Sequence, residues 1–147
     1  MSAHLALTQA LVDALGQAPA IAGGRIYRGR MRAMPAEHTS ALFVGIVRST
    51  GTQPFAGDGR TDWQTTVAVD VCARASAGVD GLTAVDTVLQ DVYARLATYN
   101  PPADVSAWLI EPAIAWEVDE ADQTIACATV SLRVQHRTQS GSLSAAT

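Results

Sequence analysis

The segment GDGRTDWQTTVAVDVCARAS, residues 57–76, decides the fold class of this 147-residue chain. Its first residues are glycines and charged side chains typical of a turn, and apolar and polar side chains alternate from residue 63 to residue 74. An alternation with a period of two predicts a β-strand with two different faces. One face carries Trp63, Thr65, Val67, Val69 and Val71, and the other carries Gln64, Thr66, Ala68, Asp70, Cys72 and Arg74. The polar face raises a functional question, because Asp70, Cys72 and Arg74 are either a reactive site or a surface that another subunit covers.

Two helices and four further strands are predicted around this strand. Apolar residues recur at intervals of three and four over residues 3–15 and 80–98, which predicts two amphipathic helices. Their apolar stripes are Leu5, Thr8, Leu11, Val12 and Leu15 in the first helix and Leu82, Val85, Leu89, Val92 and Leu96 in the second. Ser2 and Gly16 are expected to cap the first helix at its two ends. The other strands are predicted around residues 25–28 and at 40–49, 106–118 and 124–138.

The order of these elements, α-β-β-β-α-β-β, predicts an α+β fold. We expect a single mixed, mostly antiparallel sheet of about five strands with both helices packed on one face. Pro112 removes a hydrogen-bond donor from the fourth strand, which indicates an edge or bulged strand. Residues 1–138 are predicted to form a single domain, and residues 139–147, QSGSLSAAT, a flexible tail. Residues 50–62, TGTQPFAGDGRTD, are predicted to form a long loop, a length typical of functional segments.

The charge composition narrows the functional classes. The chain has a formal net charge of −4, which argues against general binding to nucleic acid. All ten basic residues are arginines, a residue type favoured at protein interfaces. Charged residues make up 16% of the chain, against about a quarter in an average domain. A surface with so few charges favours self-association, in which other copies of the chain cover it. No stretch has the 18 apolar residues of a membrane span, and the start lacks the pattern of a signal peptide. We therefore expect a cytoplasmic protein with reduced cysteines.

No residue pattern predicts catalysis or metal binding. His4, His38 and His136 lack the spacing of metal ligands and are expected to be ordinary surface residues. Asp70 and Cys72 share a strand face, but a reactive thiolate needs a neighbouring cation, and the local sequence offers only Arg74. Asp70 and Arg74 are interpreted instead as a charge pair on that face. We predict no catalytic residue, no cofactor and no metal, and we keep a small dimeric, ferredoxin-like α+β enzyme using Asp70 and Cys72 as the alternative.

A cluster of arginines suggests how copies of the chain would meet. The segment RIYRGRMR contains Arg25, Arg28, Arg30 and Arg32, whereas the turn after the fourth strand contains Asp119, Glu120 and Asp122. If these two groups lie on different edges of one subunit, identical copies would dock head to tail. A head-to-tail contact that closes on itself makes a ring.

The layout of the chain resembles the tail terminator (minor tail) proteins of lambda-like, long-tailed phages. The resemblance covers about residues 3–138 and rests on the succession of ALVDALG, ALFVGIV, DWQTTVAVDV and the closing ATVSLRVQHRT. It implies a hexameric ring on the last ring of the tail tube, which ends tube polymerisation and presents a surface to the head connector. The implied partners are the chain itself, the tail-tube protein and the head–tail connector protein, without a membrane or sequence-specific nucleic acid. The implied location is the tail–neck junction of a virion assembled in the host cytoplasm.

The polar face of the central strand is therefore interpreted as an assembly surface. The candidate interface residues are Arg25, Arg28, Arg30, Arg32, Phe55, Asp58, Arg60, Asp70, Arg74, Asp119, Glu120 and Asp122. Within the same class, another phage neck or tail-completion protein remains an alternative.

Overall fold

A computed structural model of the chain describes residues 1–29, 33–53 and 59–146. It contains two helices, α1 (Ala3–Leu15) and α2 (Gly81–Ala97). Its strands are β1 (Ile26–Arg28), β2 (Ser40–Thr52), β3 (Thr61–Arg74), β4 (Val105–Val118) and β5 (Ile125–Thr138). The predicted order of elements and the α+β class are confirmed. Neither helix in the described part of the chain is long and apolar enough to cross a membrane.

The five strands form one mixed sheet in the order β1-β2-β3-β5-β4. Strand β1 pairs with β2 in parallel, and every other neighbouring pair is antiparallel. Strand β4 lies at one edge, and its register against β5 shifts between Ile110 and Ile114, on either side of Pro112. Proline cannot donate to a ladder, so it is tolerated at an edge or a bulge. The predicted edge or bulged strand is confirmed, and β4 has both features.

The main core lies between one face of the sheet and the two helices. Val67, Val69 and Val71 of β3 are fully buried there, as the alternation predicts. Leu11 and Leu15 of α1 lie in the same buried cluster as the valines, together with the buried stripe of α2, Val85, Leu89, Val92 and Leu96. Both helices therefore cover the same face, where the apolar sides of the strands are removed from water.

Two members of the predicted helical stripes are exposed. Leu5 of α1 points to solvent and Leu7 takes its place in the core, while Leu82 is 48% exposed. Leu82 lies in the first turn of α2, beside Trp116 of the edge strand β4. Sequence periodicity identifies the apolar stripe of a helix but not how far the opposing sheet extends beneath it, and that extent decides which members are covered.

The loop between β2 and β3 is shorter than the predicted 50–62. The two strands continue pairing through Thr50–Gln64, Gly51–Trp63 and Thr52–Asp62, so the connection covers residues 53–60. A side chain at Gly51 would meet the Trp63 ring at 2.8 Å. The glycine that suggested a loop is therefore a strand residue on which an indole packs.

Strand β2 is buried on both faces only over its first half, Ser40–Gly45. On the face away from the helices, Phe43 packs in a second, smaller cluster with Met34 and Tyr27. After β5 the chain turns back, so that Ala145 bridges to Thr138 and the carbonyl of Leu143 accepts the Ala3 amide at 2.8 Å. The flexibility of residues 139–147 stays a prediction.

Candidate assembly surfaces

Asp70 lies inside the subunit. Its side chain is on the sheet face away from the helices, yet the residue is only 3% exposed. The Thr129 hydroxyl of β5 donates a 2.6 Å hydrogen bond to Asp70 Oδ1, and Phe43 of β2 is its register partner on the other side. The interpretation of Asp70 as a solvated interface residue is therefore wrong for the isolated subunit, because the neighbouring strands and their side chains close over it.

Arg74 pairs with the acidic turn instead of with Asp70. Its Nη1 donates to Asp122 Oδ2 at 2.6 Å, and Nε and Nη2 donate to the carbonyls of His38 and Met34 at 3.3 Å. The Thr124 hydroxyl and then the Arg74 guanidinium lower the pKa of Asp122. This pair fastens the turn after β4 to the segment before β2, so both partners serve within the subunit.

Cys72 and Cys127 form a disulfide across β3 and β5. They are register partners with Cα atoms 4.2 Å apart, the short spacing of antiparallel pairs that exchange no backbone hydrogen bonds. The expectation of free thiols is therefore corrected. Sequence periodicity placed both cysteines on strands, but only the pairing of β3 with β5 brings them together. In this state Cys72 offers no thiolate for nucleophilic chemistry, and Met34 and Phe43 lie in the same buried cluster.

The predicted arginine cluster is divided between structural and exposed positions. Arg25 Nε donates to the Ser40 carbonyl at 2.7 Å, joining the start of β1 to β2, whereas Arg28 at the end of β1 is exposed. Arg60, before β3, is also exposed. Four further predicted residues, Arg30, Arg32, Phe55 and Asp58, lie outside the described part of the chain.

The two charged groups lie toward opposite edges of the sheet. Arg25 and Arg28 belong to the β1 edge, whereas Asp119 and Glu120 follow directly from the β4 edge. Four strand spacings separate the edges, or roughly 19 Å at about 4.8 Å each. Asp119 Oδ1 accepts the backbone amides of Ala121 and Asp122 and shapes the turn, while Glu120 is exposed. Head-to-tail docking of these two groups stays a prediction.

The edge strand β4 carries an apolar surface that the helices leave open. Leu82, Ile114, Trp116 and Val118 are partly exposed on the helix side of the sheet, and we call these four residues the β4 edge patch. An open groove of about 450 Å³ runs between Leu82 and Trp116, beside Thr83 and Asp86. The predicted alignment of Ile114 and Trp116 with Trp108 is confirmed by the register. However, α2 packs mainly over β3 and β5, so it leaves the outer part of β4 exposed among the described residues.

A histidine network is the feature that the sequence did not predict. His136 is 2% exposed, and its Nε2 lies 2.8 Å from the Thr65 hydroxyl. The hydroxyls of Thr65 and Ser49 are 2.7 Å apart, and His4 Nε2 is 2.9 Å from Ser49. The expectation that His136 is a surface residue is therefore wrong, and His4 is half-buried beside it. The sequence did contain a signal for the burial of His136. Side chains alternate between the two faces of a strand, and residue 136 continues the inward-facing series 128, 130, 132 and 134 of β5.

The network is neutral and structural. The pKa of His136 is lowered to about 4, chiefly by burial and then by the nearby His4, while Asp104 opposes both. Burial also lowers the pKa of His4, whose ring lies 4.8 Å from those of His136 and Trp63. The contacts join α1 to β2, β3 and β5. Within the described residues, no three His, Cys, Asp or Glu side chains are grouped to hold a metal ion.

The chain matches no protein-family model and none of the curated proteins. Among solved structures, it is similar to a chain from the virion of a native gene transfer agent particle, with a TM-score of 0.64 and 12% sequence identity. The alignment covers 92% of this chain and 98% of that chain. At this identity the likeness shows a shared fold that extends over nearly the whole of both chains.

Proposed function

We propose that this chain is a structural virion protein of the tail terminator type. It forms a ring on the end of the tail tube, stops tube polymerisation and provides the surface to which the head connector joins. The observation that carries the proposal is the fold shared with a chain of a virion particle, over 92% of this chain and 98% of the other. The likeness therefore extends over nearly the whole of both chains.

The surface of the subunit supports an assembling role. The β4 edge patch leaves Trp116 46% exposed, and a contiguous apolar surface of this kind marks an interaction site in many proteins. Acidic and basic groups lie toward opposite edges of the sheet, which suits a heterologous contact between identical copies. The protein's charged fraction of 16% also lowers the desolvation cost of covering its surface.

The proposed partners follow from the ring. Each subunit would contact two copies of itself around the ring, the tail-tube protein on one ring face and the head–tail connector on the other. A specific interface buries about 800 Å² per partner, so four such contacts would cover a large share of the 7963 Å² of accessible surface. The proposed site of action is the tail–neck junction, after assembly in the host cytoplasm.

The shared fold would support another neck or tail-completion protein equally well, since the similar chain belongs to a virion and such proteins are also virion components. The two alternatives differ in what the ring does to a growing tube. The enzyme alternative is disfavoured because Cys72 is bonded to Cys127 and Asp70 is buried against Thr129.

The proposal is tested by assembly and by tube growth. Native mass spectrometry and negative-stain electron microscopy should show closed rings of about six subunits. When the ring is added to the cognate tail-tube protein during polymerisation, tubes should become shorter as the ratio of ring to tube protein rises, with one ring at a tube end. An unrelated ring protein at the same concentration serves as the control. Rings that leave tube length unchanged would favour a different neck protein, and a stable dimer would contradict the ring.

A further inference from the structure

We propose that protonation of His4 opens the first turn of α1 locally, while the sheet and the rest of the helix stay folded. The chain then contains a pH-sensitive contact between its N-terminal helix and its sheet. This inference stands apart from the proposed function, because it concerns a single subunit and requires no ring. Three features of the chain support it: the contacts of His4, its position at the start of a helix, and the unequal ways in which His4 and His136 are held.

His4 joins the first turn of α1 to three strands of the sheet. Its Nε2 lies 2.9 Å from the Ser49 hydroxyl of β2. Its ring packs edge-on against those of Trp63 in β3 and His136 in β5, with ring centroids 4.8 Å apart in both pairs. The residue is half-buried, and burial lowers its pKa because an imidazolium there loses part of its hydration. These contacts therefore favour the neutral ring.

The charged groups nearby do not compensate an imidazolium at His4. Of the side chains that contact its ring, His136 is titratable, and a second proton there would repel the first. Asp104, in the segment before β4, favours the charged form of His136, but burial outweighs it. Asp62 and Arg137 are paired with each other on the opposite face of the sheet. The contacts that reach the two histidines from β2 and β3 are uncharged: Ser49, Trp63 and Thr65.

His4 lies at the end of the helix where a positive charge is least favourable. Ser2 is the N-cap of α1, and its hydroxyl accepts the Leu5 amide at 3.2 Å, so His4 belongs to the first turn. The amides of a first turn give a helix N-terminus a partial positive charge. An imidazolium at His4 meets this charge in addition to the cost of burial, and unwinding the first turn relieves both.

The two histidines are held unequally. His136 lies in β5, which pairs with β3 on one side and with β4 on the other, so moving its ring into water requires the sheet to open. His4 lies near the start of a helix, and helix ends are among the parts of a fold that open at the lowest free energy. Leu7, Leu11 and Leu15 anchor the following turns in the core, so the first turn can unwind without the rest of α1.

Opening of the first turn also changes the segment that follows β5. The Ala3 amide donates to the Leu143 carbonyl at 2.8 Å, and this bond breaks when the first turn unwinds. The segment keeps a bond of its own to β5, from the Ala146 amide to the Arg137 carbonyl at 2.9 Å. A proton on His4 therefore separates the start of α1 from both the sheet and the returning segment.

The test is amide hydrogen exchange followed by NMR between pH 7 and pH 5, corrected for the intrinsic pH dependence of exchange. In the open turn His4 meets water and regains its ordinary pKa of 6.5. The open fraction should therefore rise by up to about tenfold for each pH unit below 6.5, until His4 also protonates in the closed form. The reporters are three amides of the first turn, which bond to Leu143 or Ser2: Ala3, Leu5 and Ala6.

The Val92 amide shows whether the opening is local. Val92 is fully buried in the middle of α2, so its amide exchanges when the whole chain unfolds. Its open fraction should stay below that of the first-turn reporters at every pH. Equal open fractions at Val92 and at the reporters would overturn the inference, because the chain would then open only as a whole.

Two glutamine variants assign the pH response to a residue. His4→Gln keeps a polar side chain beside Ser49 but cannot titrate, so it should lose most of the rise at the reporters. His38→Gln is the matched control, because it replaces a histidine that lies near Phe43, on the face away from the helices, and the rise should persist.

Two results would overturn the inference: a wild-type open fraction that does not rise below pH 6.5, and a rise in His4→Gln equal to that in wild type. If His4→Gln does not fold, the wild-type pH series and its comparison with Val92 still decide the outcome.

Discussion

Lowering the pH from 7 to 4.5 should destabilise the folded chain through His136, and replacing His136 with glutamine should remove that part of the loss. In the folded chain His136 is buried beside Thr65 and His4, and its pKa falls from 6.5 to about 4. In the unfolded chain the imidazole meets water and titrates near its ordinary value. Between these two values the unfolded state binds the proton and the folded state does not.

The magnitude follows from the two pKa values. Because the unfolded state holds more protons, the free energy of unfolding falls as the pH drops through 6.5 and levels off below about 4. The full loss is about 3 kcal/mol, at about 1.36 kcal/mol for each pH unit between 6.5 and 4. Proton-binding equilibria with these values place about 2.5 kcal/mol of that loss between pH 7 and pH 4.5. Above about pH 7.5, where the imidazole is neutral in both states, His136 should contribute no further dependence on pH.

The assay is equilibrium urea unfolding at several pH values between 7 and 4.5. Over this range about 2.5 kcal/mol of the wild-type loss should come from His136, so His136→Gln should show a correspondingly flatter profile, whatever its stability at pH 7. Glutamine retains a group that can bond to the Thr65 hydroxyl without titrating. His38→Gln is the matched control, since it alters a histidine outside the network. Parallel profiles for wild type and His136→Gln would refute the reasoning, because the proton uptake would then belong to other groups.

Three further predictions concern the stability of the isolated subunit. Leu89→Ala, in the centre of the α2 stripe, should lower the free energy of unfolding by about 2–5 kcal/mol in urea titrations, and a cost below about 1 kcal/mol would mean that α2 packs loosely. Ser2→Ala removes the hydroxyl that accepts the Leu5 amide at 3.2 Å, and calorimetry should show the free energy of unfolding lowered by about 1 kcal/mol. An unchanged midpoint of thermal unfolding would show that Ser2 does not stabilise α1 as its N-cap. Reduction of the disulfide between Cys72 and Cys127, which are 55 residues apart, should cost about 2–4 kcal/mol when unfolding is compared with and without reductant, and equal stabilities would exclude the bond.

The sequence by itself determined the elements whose signals are local. The alternation in residues 63–74 follows from the two-residue repeat of a strand, and the faces of β3 are as predicted. The stripe Val85, Leu89, Val92 and Leu96 follows in the same way from the helical repeat. Pro112 predicted an edge or bulged strand, because a missing donor has the same consequence in any strand. Each of these signals is read within a few residues of the chain.

Only the tertiary structure decided what covers each face. Asp70 and Arg74 share a strand face, but the strands on either side bury Asp70 against Thr129 and direct Arg74 to Asp122. Cys72 and Cys127 become partners because β5 is inserted between β3 and β4.

The same limit applies to His136 and to Trp116. Both side chains are on the helix face of their strands according to the two-residue alternation. His136 is nevertheless buried beside His4 of α1, whereas Trp116 is exposed at the sheet edge. The face of the sheet on which a side chain lies is a local property of the backbone, whereas burial depends on which distant segment packs above the residue. Which segment covers a residue is determined by the sum of contacts over the whole chain, so it cannot be predicted from a short stretch of sequence.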